Sequence, residues 1–391
     1  MKILVVCQYY YPEPFRITDI CEELIRQGNE VTVVTGTPNY PMGDIYPGYG
    51  DELHKDETIN GVKVHRCSIH PRKTGIIHRL WNYYSYSFAS SRYIKQLDDS
   101  FDVVFINQLS PIMMANAGIK YAKKYNKKSI LYCLDLWPAS LGVGGINTGV
   151  IYKWFYRESK KIYCSVDKIL ISSQSFAKYF EDEFGLYNTT YLPQYAEETF
   201  TLDDCMKTPN ESIDLMFAGN VGTAQSVDII IRAAALCKDI QNLWWHIVGD
   251  GKEFYACKKL AEELEAPVVF HGRKPIEEMP KYYAKADAML VTMQDDPVIS
   301  LTLPGKVQSY MAAGKPIIGA INGETQRVIL ESQCGVCADA EDVEGLVSCV
   351  RKFVLSDREM FIKNSINYYD SNYTKKSFIS RLQDILSENI S

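Results

Sequence analysis

Short runs of continuous apolar residues alternate along this chain with longer stretches in which apolar residues recur every three or four positions. The first run, KILVVC (2–7), shows no polar alternation, as expected of a strand buried on both faces of a sheet. A loop rich in Tyr and Pro follows, then a predicted helix from about Thr18 to Arg26, ended by Gly28, and a second apolar run, EVTVVTG (30–36). VKVHRC, FDVVFIN, KSILYCLD and DKILISS repeat the theme, with helical periodicity between most of them. Strands alternating with helices imply right-handed crossovers and a parallel, doubly wound sheet.

The alternation restarts after residue 200, with DLMFAGN, LWWHIVGDG, PVVFHG, ADAMLVTM and KPIIGA as strands and SVDIIIRAAALCK and FYACKKLAEEL as helices. The polar stretch TFTLDDCMKTPNES is the best linker. A chain of 391 residues also exceeds the usual single-core size. The expected fold is α/β, with two Rossmann-like doubly wound domains facing a central cleft and ligands beyond the strand carboxyl ends. Their expected limits are 1–200 and 201–370, with 371–391 as a helix that packs back on the first domain.

A net charge of −6 argues against a nucleic-acid binder. The eleven cysteines are odd in number and scattered, and the one CxxC, Cys334 to Cys337, has no second pair to complete a zinc site. Reduced, buried thiols in a cytoplasmic protein are the expectation. No apolar stretch approaches the roughly 18 residues of a membrane span, and the opening run is too short for a signal peptide. The protein is therefore expected to be soluble or at most peripheral.

Candidate chemistry gathers at strand ends of the second half. Gly219 and Gly222 in FAGNVGTAQS form a tight turn suited to cradling phosphate. HIVGDG (Gly249) and HGR (Arg273) end the next two strands. In LPGKVQSYMAAGKPIIG a strand end leads into a helix opened by Pro304 and closed by Gly314 and Pro316. Gly305 brings backbone N–H groups close to a ligand and Lys306 adds a cation beside them, a combination suited to a diphosphate, although a capped helix with a solvated lysine fits too. Asp203–Asp204 and Asp295–Asp296 are adjacent pairs in loops, not a DxD metal site, and are expected to be solvated. Three segments of the first half, 70–97, 121–128 and 151–163, mix Lys and Arg with Trp and Tyr. They suit either an anionic membrane surface or core-facing aromatic stripes with solvated basic faces.

Taken together, KILVVCQYYYPEPFRITDICEELIRQGNEVTVVTGTPNYP, LDLWPASL, FAGNVGTAQS and PGKVQSYMAAGKPIIGAINGET resemble the GT-B glycosyltransferases of family 4, over nearly the whole chain. They are most similar to the WbuB-like subgroup that transfers N-acetylfucosamine or fucose. The resemblance implies a retaining, metal-independent transferase in which the departing phosphate takes the acceptor's proton. It implies no cofactor, with a UDP-sugar as donor. The implied acceptor is a polyprenyl-diphosphate-linked saccharide of capsule or O-antigen synthesis, at the cytoplasmic face of the inner membrane. Lys306 is implied as the diphosphate clamp, and Asp135 either binds the acceptor, acts as base, or caps the next turn. Donor contacts would come from Gly219, Asn220, Gly222, Gly249, Arg273, Gly305 and Ser309, and acceptor contacts from Arg16, Asn107, Gln108 and Trp137. Arg16 reads equally as a surface arginine. The sequence departs from the family's usual pattern in that Leu301 and Ser309 replace two glutamates, and Asn220 an arginine. Those departures keep open a nucleotide-sugar 2-epimerase or a non-catalytic nucleotide-sugar-binding protein.

Overall fold

Apolar runs without polar alternation become central strands: Ile3, Leu4, Val5 and Val6 are all fully buried. A computed structural model describes residues 1–41, 43–50, 54–71, 76–144, 148–207 and 210–390. The chain divides into two units, Met1–Ser172 with Phe176–Leu192 and the residues from Ile379 on, and Ser173–Ser175 with Pro193–Phe378.

The first unit holds β1 (Lys2–Val6), β2 (Glu30–Gly36), β3 (Asp56–Ile59), β4 (Val62–Cys67), β5 (Val103–Gln108), β6 (Lys128–Cys133), β7 (Lys168–Ile171) and β8 (Thr189–Tyr191). They form an eight-stranded sheet in the order β3-β4-β2-β1-β5-β6-β7-β8. All neighbours are parallel except β3 and β4. Val6 lies opposite both Val34 and Ile106, so β1 is central and the strand order reverses between β1 and β5. Its helices are α1 (Ile17–Arg26), α2 (Ile76–Tyr93), α3 (Asn116–Tyr125), α4 (Gly149–Tyr163) and the short α5 (Phe176–Tyr179).

The second unit holds β9 (Ile213–Ala218), β10 (Leu243–Val248), β11 (Val268–Gly272), β12 (Ala288–Thr292), β13 (Ile317–Ala320) and β14 (Gly335–Ala338). This sheet is parallel throughout, in the order β11-β10-β9-β12-β13-β14. Its helices are α6 (Leu202–Cys205), α7 (Val227–Leu236), α8 (Phe254–Glu263), α9 (Met279–Tyr283), α10 (Gly305–Ala312), α11 (Glu324–Ser332), α12 (Val343–Val354) and α13 (Arg358–Asn372). Alternate residues of β9 feed opposite cores. Leu215 and Phe217 pack with Ile230, Cys257 and Phe353 of α7, α8 and α12. Met216 and Ala218 pack with Tyr283, Met311 and Val328 of α9, α10 and α11. Helix α14 (Lys375–Glu388) closes the chain, and Arg381 donates to the Tyr191 carbonyl at 3.0 Å.

Several details depart from the sequence reading. Strands β3, β8 and β14, none longer than four residues, were not expected. β3 also breaks the all-parallel pattern, because a hairpin joins it directly to β4. No strand precedes Pro304; a 3₁₀ turn, Ile299–Leu301, does. Asp203, Asp204 and Asp295 are exposed, as expected, and Asp296 is half-buried, though local contacts also order these pairs. Asp204 N–H is capped by Thr201 Oγ1 at 3.2 Å at the start of α6. Asp296 accepts from the Val298 and Ile299 N–H groups at 2.8 and 3.0 Å, and Asp295 from Asn322. Of the expected linker, Thr208 and Pro209 lie outside the described residues, as do Arg72, Lys73, Thr74 and Gly75 of the first basic segment.

Candidate active site

In the second unit, the carboxyl ends of β9 and β10 are locked together by glycine. Gly219 and Gly249 have φ of +144° and +147°, which a side chain would strain. A Cβ on Gly249 would lie 1.8 Å from the Gly219 carbonyl oxygen, and one on Gly251 2.4 Å from that of Val221. The N–H groups of Gly219, Val221 and Gly249 donate to the carbonyls of Val248, Asp250 and Gly272 at 2.9, 3.0 and 2.9 Å. This corrects part of the phosphate-cradle expectation: those donors hold neighbouring loops together. Asn220 is exposed and donates to Gln225 Oε1 at 3.1 Å. The turn runs on through Gly222 into α7.

Beside this turn lies the N-terminus of α10. Pro304 occupies the cap position with extended backbone and no side-chain cap. Tyr310 anchors the helix, its hydroxyl donating to the Ala218 carbonyl at 3.0 Å and lying 3.3 Å from the Ala218 N–H. Four residues earlier on the same face, Lys306 Nζ sits 4.1 Å from the centre of the Phe217 ring. A Cβ on Gly219 would come within 2.8 Å of that ammonium, so glycine there makes room for it. Desolvation pushes the Lys306 pKa down to about 8. No acidic side chain among the described residues pairs with it, and the residue keeps part of its surface open. A desolvated cation beside a bare helix N-terminus is chemically suited to an anion.

Ser309, one turn further on, is buried, and its hydroxyl lies 2.8 Å from Glu197 Oε2 and 3.2 Å from the Gly305 carbonyl. The hydroxyl expected to face the donor thus holds a carboxylate that the sequence reading missed. Arg273 is exposed beyond β11, and β10 separates that strand from β9.

The first unit builds its candidate site from side chains. Asn107 and Gln108 end β5, both buried, and Gln108 donates to the Asp135 carbonyl at 3.0 Å. Asp135 follows β6 and accepts from Ser110 Oγ, itself 3.2 Å from Ser140 Oγ. Burial raises the Asp135 pKa, and these hydroxyls and the Leu136 N–H oppose the rise. Trp137 is buried edge-on to Tyr83 and Phe155, with ring centres 5.6 and 5.3 Å away, so packing fixes the loop that carries Asp135. Arg16 takes the cap position of α1, near enough to Tyr132 to act on its phenol. The structure thus gathers Asn107, Gln108, Asp135 and Trp137 with Ser110 and Ser140. In the second unit it gathers Gly219, Gly249, Gly305, Lys306 and Ser309 with Tyr310 and Glu197. Tyr310 was legible as a same-face neighbour of Lys306; Glu197 is 112 residues from Ser309 and left no local signal.

Two Rossmann-like units of this form match solved GT-B glycosyltransferases. Sucrose-phosphate synthase from Thermosynechococcus elongatus aligns with a TM-score of 0.77 at 13% identity, over 99% of this chain and 98% of that one. The lipopolysaccharide glycosyltransferase WaaG aligns at 0.67 and 16%, over 99% of each. Anabaena Alr3699/HepE, solved with UDP and glucose, aligns at 0.72 and 13%, over 99% of this chain and all of that one.

In sequence, residues 16–193 match Glycosyltransferase Family 4 and residues 205–368 match Glycosyl transferases group 1. The chain belongs to the GT-B glycosyltransferases of this group 1 and family 4 type. It is 25% identical to the putative colanic acid biosynthesis glycosyl transferase WcaI of Escherichia coli (strain K12), over 91% of this chain and 92% of that one. It is also 25% identical to the probable glycosyltransferase WbjE of Pseudomonas aeruginosa, over 57% and 58%. Among the described residues no helix is long and apolar enough to cross a membrane.

Proposed function

We propose that this glycosyltransferase belongs to the WbuB-like subgroup. In this reading it moves an N-acetylfucosamine, fucose or related amino or deoxy sugar from a UDP-sugar to a polyprenyl-diphosphate-linked saccharide of capsule or O-antigen synthesis. The carrying observation is Lys306, a desolvated ammonium that has no acidic partner among the described residues, at the open N-terminus of α10. The UDP named in the HepE complex supports the choice of nucleotide, and the colanic acid role named for WcaI supports a surface polysaccharide. Transfer breaks the bond between the anomeric carbon and the diphosphate and forms one to the acceptor oxygen. The acceptor's proton passes to the departing phosphate oxygen, so configuration is retained without an enzyme base. Lys306 and the α10 N–H groups meet the charge that develops on the leaving group. Asp135 orients the acceptor hydroxyl, and no metal or further cofactor is required. The work is placed at the cytoplasmic face of the membrane, where such acceptors are met. Neither the epimerase nor the non-catalytic reading is favoured by any observation.

Calorimetry with UDP, GDP, dTDP and ADP on the wild type and Lys306→Ala tests the donor site. Selective UDP binding, weakened by about 1.5–3 kcal/mol in the variant, is the expected outcome. Equal binding by both proteins, or by neither, overturns it. UDP release that depends on added acceptor then separates transfer from simple binding.

A further inference from the structure

Trp81, Tyr84, Phe88 and Arg92 share one face of α2 by helical spacing, and that face is open: Trp81 is 62% and Phe88 74% exposed. On α4, Val150, Ile151 and Trp154 are 84%, 55% and 45% exposed. The helices adjoin, with the Tyr84 and Trp154 ring centres 5.8 Å apart. Single exposed apolar side chains are ordinary, but aromatic and aliphatic side chains from two adjoining helices form a patch that needs a partner.

Charge says which partner. Arg92 of α2 and Lys153, Arg157, Lys160 and Lys161 of α4 take no ion pair among the described residues, and Glu158 is the only acid in either helix. The middle basic segment, 121–128 with the preceding Lys120, behaves differently: Lys127 pairs with Asp99 and Lys128 with Asp167, while Lys120 and Lys123 donate to Ser91 and Ser165. A chain of net charge −6 therefore presents unpaired cations around its apolar face. A second copy paired face to face would set those like charges against one another. The patch is also continuous with the acceptor side. Trp154 meets Phe155 at 4.9 Å, Phe155 meets Trp137 at 5.3 Å, and Trp137 stands two residues from Asp135.

We propose that the α2–α4 face docks on an anionic lipid bilayer. Trp81, Phe88, Val150, Ile151 and Trp154 enter the interfacial layer and the surrounding cations meet the headgroups. The aromatic stack then carries the Asp135 loop at a fixed height above the bilayer, where a lipid-borne acceptor presents its sugar. The role of that height rests on the acceptor reading of the first unit; the docking does not.

The test is flotation of the full chain with vesicles of phosphatidylcholine containing phosphatidylglycerol, and with phosphatidylcholine alone, while UDP binding is followed in parallel. The wild type should float with the anionic vesicles, with a blue-shifted Trp emission, and release in high salt. The W81S/F88S double variant should partition about tenfold less or weaker still, and K153E/R157E should lose its preference for anionic lipid, both keeping wild-type UDP affinity. A wild type that binds UDP but does not float, or variants that float like it, overturns the docking. A patch variant that instead lowers the sedimenting mass assigns the face to a second copy and also overturns it. Flotation without UDP binding breaks the donor reading and leaves the docking in place.

Discussion

The two candidate sites solve similar problems with opposite materials. In the second unit the candidate site is backbone: glycines at positive φ pack loop against loop, a helix N-terminus stands without a side-chain cap, and one cation has no acidic partner among the described residues. In the first unit the site is side chain. Buried Asn107 and Gln108 end the neighbouring strand, the Asp135 carboxylate is held by serine hydroxyls, and the oxygens Asn107 Oδ1 and Gln108 Oε1 lack a donor among the described residues. The diphosphate is the same on every nucleoside-diphosphate sugar, so rigid N–H groups and one charge could serve any of them. Acceptors differ in the placement of their hydroxyls, and side chains can vary at such a site without rebuilding the loops.

The comparison can be broken first where backbone matters most. Gly249→Ala places a Cβ against the Gly219 carbonyl at a φ no alanine adopts readily, so urea denaturation should show a loss of about 3–4 kcal/mol and calorimetry a loss of nucleotide binding. A mild effect would mean the turn is not a rigid cradle.

Lys306→Met should act oppositely on fold and ligand. It removes a desolvated cation, so the unliganded protein should gain about 2–3 kcal/mol at neutral pH while nucleotide binding is lost. The sign with pH follows from the depressed pKa. Between about 8 and 10.5 the unfolded lysine keeps a proton that the folded one has released, so wild-type stability rises with pH across that window. Denaturation at several pH values should show that rise in the wild type and not in the variant. Nucleotide affinity should fall as pH climbs through 8, because the deprotonated amine no longer attracts phosphate.

The side-chain site should tolerate substitution without unfolding. Asp135→Asn keeps size and polarity, so it should lower acceptor-dependent turnover about tenfold with UDP binding unchanged. Because burial raises the Asp135 pKa, wild-type turnover should begin to fall on acidification at a higher pH than an ordinary carboxylate gives, and the variant should lack that limb. The smallest effect belongs to Ser309→Ala, which takes one hydrogen bond from Glu197 and should cost about 1 kcal/mol of stability with a modest loss of UDP affinity. A loss of UDP affinity as large as that of Lys306→Ala would return Ser309 to direct donor contact.

What the chain alone determined follows from short-range periodicity. Continuous apolar runs such as KILVVC and EVTVVTG could only be doubly covered strands, their alternation with helices dictated parallel sheets, and Pro304 and Gly314 bounded α10 in the order their backbones allow. Lys306 was legible because its neighbours in sequence, the helix start and the glycine, are also its neighbours in space. The short strands β3, β8 and β14 were not legible, since pairing with a neighbour creates them and composition does not. Only the tertiary structure decided which polar groups were already taken. Glycine N–H groups that read as phosphate donors hold adjacent loops, Ser309 holds Glu197, and lysines 120–128 bind their own unit while those of α4 stay open. A hydrogen bond or ion pair depends on groups far apart in sequence meeting within about 3 Å, and local pattern carries no record of that meeting.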